Sequence, residues 1–373
     1  MMNQISYKNR QRSDYWFSLG VFALVLFGLI MIYSVSKYLS LQVTNGASDK
    51  LYLMGQLGPL AIGIVVWFIF QNIDYHFWQK YSGTMLIITI VLLISVFLFG
   101  HSGSTSAQRW ISIFGFHFQP SEIVKLTFLI YLAGWFSAKS EKAGGLNKNF
   151  WLFAVIVGLI SFFLLEQKDL GTLSVIVGIA AGIYFAAGAS LKNLALAGGL
   201  GTLLFWIAVK KEPYRMERIL AFLNPENGSL STGYHIRNAL IAIGSGGLWG
   251  LGFGQSRQKY LYLPEAQTDS IFAIISEELG FIGAVFVIAA FTFLAIRGLK
   301  IAKEAPDTFG RLLGVGIVVW IAFQAFVNIA AMLSIIPLTG VPLPFISYGG
   351  SNLVVSLAAV GILMNISHQK RYD

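Results

Sequence analysis

The chain contains no cysteine. Disulfides and thiol chemistry are therefore excluded, although the redox compartment is not identified. Charge is scarce as well: 12% of the 373 residues are Asp, Glu, Lys or Arg, and acids are outnumbered by bases, 17 to 26. No Walker sequence occurs. The glycines of "GSGGLWGLGFGQ" do not form G-x-G-x-x-G and follow no strand pattern, so no nucleotide cradle is indicated. There is no His-x-x-x-His pair for zinc. The basic residues are scattered and form no stripe with aromatics, which argues against nucleic acid. Tandem repeats, low-complexity tracts and the paired broken helices of an inverted-repeat transporter are also missing.

What the chain does have is apolar length. It is 56% hydrophobic, with a mean hydropathy of +0.69, more apolar surface than a soluble domain can hide. Ten runs approach the roughly 20 residues that cross a bilayer: 16–35, 52–70, 83–99, 121–137, 150–166, 170–188, 191–209, 270–296, 311–333 and 349–367. In lipid such spans must be helices. The sequence thus predicts an all-α polytopic membrane protein forming a single integral membrane domain over 1–373. The basic N-terminus leads into a run too long for a signal peptide, so it reads as a retained first helix.

The net charge of +9 is first a matter of topology. Lys8, Arg10, Arg12, Lys80, Lys139, Lys142, Lys148, Lys192, Arg297, Lys300, Lys303, Arg311, Lys370 and Arg371 fall on one side of the ten spans. Only Lys37, Lys50, Arg109 and Lys168 fall in the short loops opposite. The positive-inside rule then places both termini in the cytoplasm.

One connection is long. Residues 210–269, between spans seven and eight, form a large extracellular loop. Within it "YRMERILAFLNP" brings Met216, Ile219, Leu220 and Leu223 to one helical face. Ala239–Ile243 suits a re-entrant or interfacial segment. Asn227-Gly-Ser229 matches a glycosylation acceptor by spacing alone.

Polar residues at apolar depth carry the functional signal. In "FQPSEIVKL", Gln119 and Ser121 flank Pro120 at a helix start, and Glu122 and Lys125 share a face and can pair. The pair reads either as the wall of a polar cavity or as a lock between helices. Glu166, Lys168 and Asp169 read as a solvated hairpin turn. Arg109 reads as an outer-interface phosphate contact or an interfacial anchor. Before the eighth span come Glu265 and Asp269, and inside it Glu277 and Glu278. A carboxylate there can act as a base or bind a divalent cation. Equally, Thr268, Asp269 and Ser270 are capping residues. The last loop, "LSIIPLTGVPLPFISYGGSN", has three prolines that stop a continuous helix. Its Gly349 and Gly350 allow close backbone contact.

Together, "GFGQSRQKYLYLPEAQTDSIFAIISEELGFIG" and "NIAAMLSIIPLTGVPLPFISYGGSN" resemble the FtsW, RodA and SpoVE (SEDS) family. "IYSVS", "RWISIFGFHFQPSEIVKL", "DLGT" and "APDTFGRLLGVGI" extend the likeness over nearly the whole chain. The QSRQK and LPEAQTD runs look closer to the FtsW and SpoVE branch. The resemblance implies a ten-helix fold like that of C-type glycosyltransferases. It implies a peptidoglycan glycosyltransferase that polymerises lipid II at the outer face of the bacterial cytoplasmic membrane, in division or cell-shape maintenance. It also implies an essential acid at Asp269 and a fourth-helix pair at Glu122 and Lys125. The expected partner is a class B penicillin-binding protein docked on spans eight and nine and the large loop, with further divisome or elongasome proteins. One departure is Gln167-Lys168-Asp169, where the family often has Gln-Pro-Asp.

In this chemistry a sugar hydroxyl of lipid II attacks a glycan linked to undecaprenyl pyrophosphate. Asp269 is the candidate base. The leaving pyrophosphate calls for positive charge from a divalent cation (Mg or Mn), from Arg109, or from Arg215, Arg257 or Lys259. Asp269 is the candidate ligand for such a cation, and no organic cofactor is expected. Glu265, Gln267, Ser347, Gly349 and Gly350 complete the candidate cavity. Two other readings compete: a lipid II flippase, and a non-catalytic scaffold for the penicillin-binding protein.

Overall fold

The structure is a computed structural model, and it describes residues 14–102, 108–113, 116–140, 149–223 and 232–369. Lys8, Arg10, Arg12, Lys142, Lys148, Lys370, Arg371 and the Asn227-Gly-Ser229 triplet lie outside those residues.

Each of the ten predicted spans coincides with a helix. Seven of these helices are long and apolar enough to cross a membrane: α1 (Tyr15–Val43), α2 (Leu51–Asn72), α4 (Ser82–Phe99), α8 (Leu191–Lys211), α11 (Ile271–Lys303), α12 (Thr308–Met332) and α13 (Gly350–His368). The other three are α5 (Pro120–Ser140), which carries the Glu122–Lys125 pair, and α6 (Phe150–Glu166) and α7 (Leu170–Ala186), of 17 residues each. A short helix, α3 (His76–Lys80), links α2 to α4. The chain is a multi-pass membrane protein.

Burial ranks the helices. Among the seven long apolar helices, α13 and α12 are the most enclosed and α8 the least, and α5 is buried along nearly its whole length. α13 packs along α2, while α12 packs against α11, α7 and α5. The outward faces of the remaining helices keep large apolar side chains exposed, such as Phe68 on α2 and Trp151 on α6. This is the burial expected where lipid is the solvent.

Two features depart from the sequence reading. The segment between α4 and α5 contains a small antiparallel sheet, β1 (His101–Ser102), β2 (Gln108–Ile113) and β3 (Phe116–Phe118), where only a loop is expected. The eighth span is not one helix. Gly280 has φ 69 and ψ −165, which splits α11 into 271–279 and 281–303. The second piece alone, at about 1.5 Å per residue, is long enough to cross the hydrocarbon.

The large loop is ordered in two helices, α9 (Pro213–Leu223) and α10 (Thr232–Ser245). They include the Met216–Leu223 face and the Ala239–Ile243 segment singled out in the sequence. With the 333–349 loop they define the loop end of the bundle.

At the opposite end, charged staples tie the helices together. Asp14 caps α1, its own amide donates to Ser367 Oγ, and its carboxylate receives Arg297 at 2.6 Å. His76 lies 2.7 Å from Asp74 and 3.4 Å from Asp307, and the Tyr75 hydroxyl donates to Asp307. The hydrogen bond to Asp307, then that to Asp74, raises the imidazole above its ordinary pKa despite burial. At Asp307 burial acts upward, but hydrogen bonds from His76 and Tyr75 leave its carboxyl lowered. The histidine contribution to stability is therefore present below the ordinary imidazole pKa and lost as pH rises through the raised value. The carboxylate contribution is lost only at acid pH, as pH falls through the lowered value. These side chains are partly exposed, so the effect is small. Between about pH 6 and pH 8, the melting temperature of the purified protein should fall by about 1 °C more in the wild type than in His76→Gln. Parallel curves would show that the staple does not titrate.

Candidate functional site

The site lies where the chain enters α11. Three consecutive backbone carbonyls there are held by donors from elsewhere. Gln267 O receives the Tyr348 amide at 2.9 Å, Thr268 O the Ser347 hydroxyl at 2.6 Å, and Asp269 O the Asn328 side-chain amide at 2.7 Å. Asn328 also donates to Val341 O at 2.7 Å, which joins the Asp269 loop to the proline-rich loop. One turn earlier on α12, Gln324 donates to Pro342 O at 2.9 Å and accepts from Lys125 Nζ at 2.8 Å. Lys125 in turn pairs with Glu122 at 2.7 Å, and both are almost fully buried. A continuous polar chain thus runs from α5 through α12 to the backbone of Asp269.

The Asp269 carboxylate itself is left without a hydrogen bond or ion pair among the described residues. It is half-buried, and Gly340 packs so close that an added Cβ would lie 3.2 Å from Oδ2. Burial, then the charge of Glu265, pushes its carboxyl up to about 7, against the pull of the Arg218 and Arg109 guanidiniums. The backbone is fixed while the functional group stays available. The capping alternative does not hold. Ser270 is the N-cap residue but makes no side-chain capping bond, and its hydroxyl donates to Pro264 O.

Asp169 also acts on Asp269, raising it, and here the hairpin reading is corrected. Asp169 is 3% exposed, caps α7 through the Thr172 amide, and accepts from Gln119 Nε2 and Ser121 Oγ, each at 3.2 Å. Arg109 approaches it at 3.9 Å and donates to Lys168 O. Lys168 has φ 58, which proline cannot adopt. The departure from Gln-Pro-Asp is thus a different turn, with Asp169 still delivered to the site.

Arg218 was missed in the sequence. It sits on α9, where its guanidinium donates to Leu338 O at 3.0 Å. A charge on the polar face of an amphipathic helix gave no signal beyond solvation. His235 on α10 lies 2.7 Å from Ser270 Oγ. Burial, then Arg218, pulls its ring down to about 4, which keeps it neutral.

The remaining candidates divide. Arg109 and Glu265 act on Asp269 through their charge, while Gln119 and Ser121 hold Asp169. Gln267 and Ser347 act through the backbone contacts described above. Gly349 donates its amide to Gln56 on α2, and Gly350 packs on Pro59, so both serve the α2–α13 seam. Arg215 is buried with its guanidinium on Leu165 O. Lys259 is engaged by Glu278 at 2.9 Å, and Arg257 is exposed. Among the described residues, no three His, Asp or Glu side chains converge as a metal-binding group. The cationic groups that bear on Asp269 are the Arg218 and Arg109 guanidiniums.

A family model described as a cell cycle protein, that of FtsW, RodA and SpoVE, matches residues 15–372. The chain belongs to the FtsW/RodA/SpoVE family. It is 40% identical over 351 residues to the stage V sporulation protein E of Bacillus subtilis, covering 94% of this chain and 95% of that protein. It is 38% identical over 366 residues to a probable peptidoglycan glycosyltransferase FtsW of Geobacter metallireducens, covering 98% and 97%. Among solved structures it resembles a chain from a peptidoglycan synthase complex that coordinates polymerization and crosslinking, with a TM-score of 0.78, 26% identity, and coverage of 97% and 99%. It also resembles Thermus thermophilus rod shape determining protein RodA in a mutant form, with a TM-score of 0.71, 25% identity, and coverage of 97% and 99%.

Proposed function

We propose that this FtsW/RodA/SpoVE family member is a peptidoglycan glycosyltransferase that polymerises lipid II, with Asp269 as its general base. The observation that carries this reading is the unpartnered Asp269 carboxylate, raised to about 7 on a backbone pinned at three carbonyls. A base is most effective when its pKa lies near the operating pH. A sugar hydroxyl of the acceptor gives its proton to Asp269 as its oxygen bonds to the donor anomeric carbon. The bond from that carbon to pyrophosphate oxygen breaks, and the pyrophosphate leaves with the electron pair. Arg218 and Arg109 supply the positive charge against which it departs. A divalent cation would take Asp269 as its protein ligand and would supply further positive charge to the departing pyrophosphate.

The charge count supports an orientation in the cytoplasmic membrane with both termini cytoplasmic, ten spans in all, and the loop end outside. The exposed apolar face of α11, with Phe281, Ile282, Val285 and Phe286, together with α12 and the large loop, supports docking of a class B penicillin-binding protein. The charges that bear on Asp269 lie at the loop end, which favours chemistry there over a path across the bilayer. The test is to supply purified protein with lipid II, alone and with that partner, in detergent and in liposomes. Glycan polymer is expected. Translocated lipid II without polymer would instead support a flippase, and neither product a scaffold.

A further inference from the structure

The 271–279 helix that begins two residues after Asp269 is disconnected from the rest of α11, and something else must hold it. In an unbroken helix, the Phe281 and Ile282 amides would bond the Glu277 and Glu278 carbonyls. The Gly280 break removes both bonds, and the 247–252 loop replaces them. The Phe281 and Ile282 amides donate to Gly247 O at 2.9 Å and Leu248 O at 3.3 Å. The Glu277 and Glu278 carbonyls accept from Leu251 N and Gly252 N, each at 3.0 Å. All four freed backbone groups are satisfied, as apolar surroundings require. The junction needs bare backbone on both sides. A Cβ on Gly250 would meet Glu278 O at 2.1 Å, and one on Gly280 would meet Gly250 N at 2.3 Å, both at positive φ.

The side chains fasten the same junction. The Glu277 carboxylate accepts from Ser256 Oγ at 2.5 Å, Arg257 N at 2.9 Å and Gln258 N at 3.4 Å. Glu278 accepts from Lys259 Nζ at 2.9 Å, from Ser34 Oγ of α1 at 2.7 Å, and from Ser256 N at 3.4 Å. Glu277 is 1% exposed and Glu278 0%. Buried charge is a poor device for stability alone, since apolar residues of similar volume often serve as well or better. What these acids add is a contact that fits one geometry.

We propose that the 255–259 turn, latched on Glu277 and Glu278, sets the position of the short helix and thereby of Asp269, making Ser256, Lys259, Glu277 and Glu278 positioning residues for the reaction. This rests on the reading of Asp269 as the base. The helix spans only about 13 Å, so a shift at its latched end reaches Asp269. The charged groups that face Asp269 are Glu265, Arg218, Arg109 and Asp169, and none belongs to the latch. Loosening the latch thus changes water access and placement rather than the charges around the base.

The experiment compares full-length wild type, Ser256→Ala, Glu277→Gln and Asp269→Asn in lipid II polymerisation across pH. Ser256→Ala removes two hydrogen bonds, the one it donates to Glu277 and the one it accepts from the Lys259 amide, and no charge, which makes it the safer variant for folding. Both latch variants should lower kcat by about 10- to 100-fold with KM changed less than about twofold. Their acid limb in kcat/KM should move to lower pH as water reaches Asp269. Wild-type kcat and an unmoved limb in both variants, with Asp269→Asn inactive, would overturn the latch alone. Activity that falls only with the folded fraction, at an unmoved limb, would also overturn it. An active Asp269→Asn would overturn the base reading and the latch with it.

Discussion

Asp269→Asn should lose about 10²- to 10⁴-fold in lipid II polymerisation, the range for removing a positioned base, while folding intact. The amide keeps the size of the side chain, and the contacts that pin residue 269 are made by its backbone carbonyl and its neighbours' carbonyls, which the substitution leaves in place. Stability should move the opposite way. Burial raises the carboxyl to about 7, so the folded state binds its proton more tightly than the unfolded chain does. Wild-type stability then falls as pH rises from the ordinary aspartate range toward 7. Asp269→Asn should therefore melt higher than wild type near about pH 8, with the difference vanishing toward about pH 4. Loss of activity together with gain of stability is the signature of a group held for chemistry. Near-normal polymer from the asparagine variant would end its assignment as base.

The second large effect belongs to the Glu122–Lys125 pair. Lys125→Met strands a carboxylate whose side chain is 4% exposed, and removing one partner of a buried pair costs about 3–5 kcal/mol. The melting temperature should drop by roughly 5 °C. Glu122→Gln/Lys125→Met removes the stranded charge and should recover most of that loss. Polymerisation should stay down at least about tenfold in the double variant. Gln324 would have lost the ammonium it shares with the pair while it holds the Pro342 carbonyl. Recovery of both stability and activity would reduce the pair to a lock between helices.

The bundle was legible because each apolar run is long and ends in polar loops, and its order follows the chain. The break in α11 was not. "ISEELGFIGAV" keeps an unbroken helical pattern, and the bonds that replace the lost ones come from a loop about thirty residues earlier, which no local pattern reveals. A separation of about twenty residues hid the role of QSRQK in the same way. Lys259 read as a pyrophosphate contact because its partner, Glu278, read as part of another element. Asp169 was hidden by its turn, since a short acidic hairpin looks solvated until Gln119, Ser121 and Arg109 are brought against it. Asp269 was named through the family likeness. Its residues alone read first as a helix cap, and only the absent capping bond and the three held carbonyls separate those readings. The strands of 101–118 alternate too weakly to declare themselves.

The most direct measurement is the pH dependence of kcat/KM for lipid II polymerisation by the purified wild-type chain. A base at Asp269 gives a rate that rises with pH through a single ionisation near about 7 and then levels, following the deprotonated carboxylate. A rate already level from about pH 5 upward would contradict a raised, unpartnered carboxylate as the group that takes the proton.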